Sequence, residues 1–198
     1  MIEKKKTIRH RTQGQAITEF ALALPFLLLA VFGLLEVGRA VFMYAAVTNA
    51  SREAVRYATA YGVNETNVLH YQNCAEIRNE ARRVAFLVPL ADDDINISYD
   101  TGPQLVDPNG TPDDGDEYFD PPTVLDTCNA FEGDATNGVD TSVTLACGDR
   151  VVVTVTLNYH PMVSYVPVQD QTFTTSSART YVGIVKLVDN VEDMEECK

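Results

Sequence analysis

The chain is short of the side chains that do acid–base and nucleophilic work near neutral pH. It has three histidines, His10, His70 and His160, and the last two alone lie beyond the basic N-terminal stretch. Neither sits in a nucleophile motif such as G-x-S-x-G, so both read as ordinary surface or packing residues. The carboxylates are many, but none falls in a recognisable acid/base pattern. The expectation is a protein that is not an enzyme. Basic residues are also scarce, 15 Lys and Arg against 28 Asp and Glu for a net charge of −13. That balance repels phosphates and argues against a nucleic-acid partner. Solubility is the preferred reading of the acidity.

Cysteine is limited to four positions, Cys74, Cys128, Cys147 and Cys197. No C-x-x-C pair occurs, and no Cys/His spacing suits zinc. An even number after an apolar span fits two structural disulfides in an oxidising compartment, with three pairings open. Of these, Cys128–Cys147 is the expected one. It would pin an acidic loop to a sheet hairpin and leave Cys74 for Cys197.

Long apolar runs are likewise few, and one organises the chain. Residues 20–35, FALALPFLLLAVFGLL, carry no charge, and extension back to Ile17 makes nineteen residues. As a helix they span about 28 Å, close to the roughly 30 Å of a bilayer core. Residues 1–16 hold Lys4, Lys5, Lys6, Arg9 and Arg11 against Glu3, a net of +4, which leaves −17 for the rest. Basic residues before an apolar span stay in the cytoplasm, so the acidic bulk belongs outside. An ordinary cleaved signal is the rival reading. A signal's apolar region, however, usually runs about 7–15 residues to a small-residue cut, whereas here the helical pattern continues.

Glu19 stands at the entrance of this span, where an unpartnered carboxylate is costly. Five residues before it lies Gly14, small enough for a peptidase to cut beside. A cut between Gly14 and Gln15 would make Glu19 the fifth residue of the mature chain and place a new amine one helical turn from it. This Gly, four residues, then Glu19-Phe20 resembles the prepilin-peptidase signature of type IV pilins. The longer run GQAITEFALALPFLLLAVFGLLEVGRAVFMYAAVTNASREAVRYA resembles the TadE/TadF-like pseudopilins of the tight-adherence (Tad, or Flp) pilus system. Gly14, Glu19-Phe20, Pro25, Gly33, the EVGR turn at 36–39 and NASREAVR at 49–56 carry the resemblance. It implies a minor pilin or pseudopilin, cut by a prepilin peptidase, with other Tad pilins and assembly-platform membrane proteins as partners. It also implies a single pass through the bacterial inner membrane, with a place in the surface pilus as a further destination. Glu19 would pair with the free amine of a neighbouring subunit and set register.

Pro25 predicts a kink. Glu36 and Arg39 share a helix side and are close enough to pair, an interfacial anchor with Arg39 reaching headgroups. Ala46, Ala50, Ala54, Ala58 and Tyr61 recur at helical spacing, and Gly62 reads as a C-cap. The rod over residues 15–61 suits packing on its own domain or beside other helices. A second helix is expected over 74–88, with Ile77, Ala81, Val84, Ala85 and Val88 on one face.

A strand is expected over 95–99, then a long loop over 100–138 rich in Asp, Asn, Gly and Pro. Within it Asp107, Asn109, Asp113, Asp114, Asp116 and Glu117 form an oxygen-rich run of the kind calcium prefers. The spacing departs from an EF-hand, and a solvated acidic loop is the preferred reading. No other cofactor is indicated. The sequons at Asn49, Asn64, Asn96 and Asn109 have no role in a bacterium. After the loop the period changes to two. Strands are expected over 139–146, 151–159 and 171–188, with Cys147-Gly148-Asp149 as a hairpin turn.

The organisation expected is therefore α+β. A basic leader spans 1–14, a transmembrane and stalk helix 15–61, and an extracytoplasmic domain 62–198 with a second helix and an antiparallel β-sheet. An anchored binding module whose acidic loop takes a ligand or calcium is the alternative. The N-terminal residue of the mature protein separates the two.

Overall fold

Arg, Thr and Gln are adequate helix formers, and nothing before the apolar run stops a helix. In a computed structural model, which describes residues 11–60, 62–64, 67–106, 118–131, 136–162 and 169–182, one helix, α1, runs Arg11–Ala58. It takes in the end of the basic leader and passes Pro25 without interruption. It also stops earlier than the alanine pattern suggested. Thr59 turns its hydroxyl onto the Val55 carbonyl, and the Ala60 N–H closes a tighter turn onto Tyr57. Gly62, at φ +97°, lies beyond that end and does not cap it. Tyr61 lies outside the described residues.

The chain divides into two units. One comprises residues 1–42 with 159–171, the other residues 43–158 with 172–198. In the second unit Val47, Ala50, Ser51, Ala54, Val55 and Ala58 are buried. Their spacing of three and four puts them on one stripe, and the alanines let the helix backbone approach closely. The stripe joins a core with α2 (Cys74–Val84) and with the inward residues of a sheet. So the alanine face packs against its own domain.

Asn73 caps α2 by accepting the Glu76 N–H at 3.1 Å. Ile77 and Ala81 are buried. The helix ends at Val84, four residues before the expected Val88, because Ala85 leaves helical geometry at ψ 31°. Ala85 and Val88 remain buried in the turn that follows, whereas Val84 is half-exposed.

Among the described residues six strands form: β1 (Ile95–Asp100), β2 (Gln104–Val106), β3 (Tyr118–Asp120), β4 (Val124–Thr127), β5 (Arg150–Tyr159) and β6 (Gln171–Thr180). The main sheet has the order β4-β1-β5-β6. Antiparallel register places Ile95, Ile97 and Tyr99 opposite Val155, Val153 and Val151, so all six face the core. β5 alternates as its period-two pattern requires, with Val151, Val153, Val155, Leu157 and Tyr159 buried. The outer face is a polar ladder. Thr154 meets Ser176 at 3.1 Å, Thr156 meets Thr174 at 3.3 Å and Asn158 meets Thr172 at 2.9 Å. The stepping of those pairs in opposite directions makes β5 and β6 antiparallel.

Two expectations from the sequence fail here. Residues 100–138 are not all loop: β2 and β3 make a ribbon with Leu105 opposite Phe119, and β4 extends the main sheet beside β1. These strands are too short for an alternating pattern to show. Conversely, 139–146 is not a strand, and Cys147-Gly148-Asp149 does not close a hairpin. The flanks of β5 are taken by β1 and β6. Val139–Asn73 is an isolated bridge, and the Val143 carbonyl accepts from the Gln72 amide at 2.9 Å. Gly138, at φ +79°, is required there: a Cβ would lie 2.2 Å from the Cβ of Ala75. Of the strand expected over 171–188, β6 covers the described part to Thr180. The tail beyond 182 lies outside the described residues.

Candidate functional site

Gly14 and Gln15 sit in the first turns of α1. A Cβ on Gly14 would have no neighbour within 4 Å, so no packing among the described residues requires glycine there. A helix interior loses about 1 kcal/mol by having glycine in place of alanine. Glu19 is exposed and accepts one hydrogen bond, from the Gln15 amide one turn back at 3.1 Å. Phe20 is exposed beside it. From Ile17 to Leu35 the large apolar side chains of α1 stand in the open, Leu34 at 75 % exposure. Surface of this kind demands a cover of lipid or of other helices.

Glu36 contrasts with Glu19. It is 4 % exposed and surrounded by donors. Arg39 Nη2 donates to its carboxylate at 3.0 Å and the Met162 N–H at 3.1 Å, and the Tyr159 hydroxyl donates to it as well. The same hydroxyl lies 3.2 Å from the Glu36 carbonyl. The Arg39 guanidinium lies 4.6 Å over the Tyr159 ring and donates to the His160 carbonyl. The pair expected as a plain interfacial anchor thus also grips the segment leaving β5. Its partners lie more than 120 residues away in sequence, and no local signal marks them. His160 itself points outward to Asp170 at 3.1 Å, while His70 packs edge-on against Tyr57.

The expected Cys128–Cys147 pairing is overturned. Cys74 is bonded to Cys128, with Cα atoms 5.9 Å apart. Pairing of β4 with β1, continued by the Cys128 N–H donating to the Ile97 carbonyl of β1, brings Cys128 to Cys74 at the start of α2. Cys147 is also in a disulfide; Cys197 lies outside the described residues. Arg78 secures the same corner. It is 3 % exposed and donates to the carbonyls of Cys128 at 2.8 Å and Ala130 at 2.6 Å. Burial pushes its pKa down. At the other end of β1, Asp100 and Arg150 form a two-pronged pair at 2.7 and 2.9 Å. The Arg150 guanidinium holds the Asp100 carboxyl below its ordinary range, against the opposing effect of burial.

The calcium candidates Asp107, Asn109, Asp113, Asp114, Asp116 and Glu117 lie outside the described residues. Among the described residues no three His, Cys, Asp or Glu side chains gather at one point.

These features define an α+β protein with a helix long and apolar enough to cross a membrane. Residues 14–56 match the family described as TadE-like protein. The match opens on Gly14, closes within the buried half of α1, and associates the chain with the Tad pilus system. No curated protein and no solved structure matches the chain.

Proposed function

We propose that this chain is a non-enzymatic minor pilin or pseudopilin of a Tad-type pilus, anchored by the apolar half of α1. The observation that carries this reading is the TadE-like match over 14–56, laid on a helix whose first half is apolar and uncovered. A prepilin peptidase would cut between Gly14 and Gln15. Gly14 is compatible with this, since packing among the described residues does not require glycine there. The cut would free an amine one turn from Glu19, which carries no ion pair within the described residues. In a filament Glu19 would take the amine of a neighbouring subunit. Other Tad pilins and assembly-platform proteins are then the partners, and the inner membrane is the site of assembly, with the acidic domain outside.

Coexpression with a Tad prepilin peptidase tests the reading. Intact mass should show Gln15 as the new N-terminus, and Gly14→Val should block the cut. Retention of Met1 under those conditions defeats it.

A further inference from the structure

We infer that the segment leaving β5, around Met162, makes a second contact with the bilayer beside the helix, in the interfacial layer of the leaflet where the span ends. The inference rests on the membrane-anchored reading above. Leu35 is the last residue of the uncharged run and Glu36 the next. The Met162 N–H is bonded to the Glu36 carboxylate. That bond places the backbone of 162 beside the Glu36 side chain, the first polar position after the apolar run. The Met162 side chain is 77 % exposed at that level.

Irregular backbone can sit at membrane depth only where its polar groups are met by protein. The groups of this segment that face the helix are met. The Met162 N–H has Glu36, and the His160 carbonyl has Arg39. The charges doing this neutralise each other and are covered by Tyr159. Glu36 and Arg39 thus present a paired rather than a bare charge at this level, and the exposed His160 and Asp170 side chains pair with each other. Arg39 keeps part of its guanidinium exposed, within reach of a lipid phosphate. Continuity with the apolar run makes lipid the occupant of this surface.

The test uses the full chain in phosphatidylethanolamine/phosphatidylglycerol vesicles, with an environment-sensitive fluorophore on Met162→Cys or, separately, on Leu34→Cys. The label at 34 reports the anchor and the label at 162 the second contact. Both should shift to the blue and be quenched by a shallow lipid-borne nitroxide in preference to an aqueous quencher. Glu36→Ala should abolish the lipid quenching at 162 and leave that at 34. A label at 34 in lipid with one at 162 open to the aqueous quencher overturns this inference alone. Shielding of 162 from both quenchers assigns the surface to protein and also overturns it. A label at 34 outside lipid overturns the anchor and the inference together.

Discussion

The Tyr159 hydroxyl donates to the Glu36 carboxylate across 123 residues of sequence. One end of the longest buried strand pattern is thereby tied to the helix where its apolar run ends. The Glu36 carboxylate accepts from three donors at once, Arg39, Tyr159 and the Met162 N–H, so the arrangement acts as a unit. Tyr159→Phe and Glu36→Gln should each lower the unfolding midpoint in detergent. The double variant should lose less than the two single losses added, because both remove one network. Strict additivity would show that the two residues act independently.

Cys74–Cys128 closes a sequence separation of 54. The entropy removed from the unfolded chain by a loop of that size corresponds to about 4 kcal/mol. Cys74→Ser should reduce stability by that order in chemical denaturation. Peptide mapping of the non-reduced protein should return 74 linked to 128. A linked 128–147 peptide would reverse the assignment.

Asp100 gives the sheet a dependence on acid. Its carboxyl is held below the ordinary range by Arg150. The unfolded chain therefore takes up its proton first as pH falls. The contribution is fully present above the unfolded carboxylate value of about 3.9 and fades as pH drops through the lower folded value. Unfolding curves from pH 5 downward should steepen in the wild type and flatten in Arg150→Gln. An unchanged acid slope in that variant would remove the pair from the account.

Glu19 separates a helix-start role from a filament role. As a dipole complement near the start of the helix left by the cut after Gly14, it is worth at most about 0.3–1 kcal/mol, and Gln would serve almost as well. As the partner of a neighbour's amine, its neutralisation strands a charge in a low dielectric, at far larger cost. Glu19→Gln should leave insertion and leader cleavage intact and abolish crosslinking to other pilins. A variant that assembles like wild type removes the filament role from Glu19.

The features that could be read from the chain are the local ones. Sixteen uncharged residues, in a run of nineteen when counted from Ile17, make a membrane-length helix whatever surrounds them, and Gly14 and Glu19 are related by their spacing in the sequence. The alternation from Val151 to Tyr159 marks a half-buried strand because side chains flip at every residue. What only the tertiary structure decided is which distant segments meet. β1 and β6, not 139–146, flank β5, because pairing is a competition among all available edges. The short strands β2, β3 and β4 carry too few residues to show a period. Cys74 found Cys128 because β4 lies beside β1, and Tyr159 found Glu36 because the end of β5 reaches the helix. Neither contact has any trace in residue spacing, since the chain between the partners does not constrain where its ends come together.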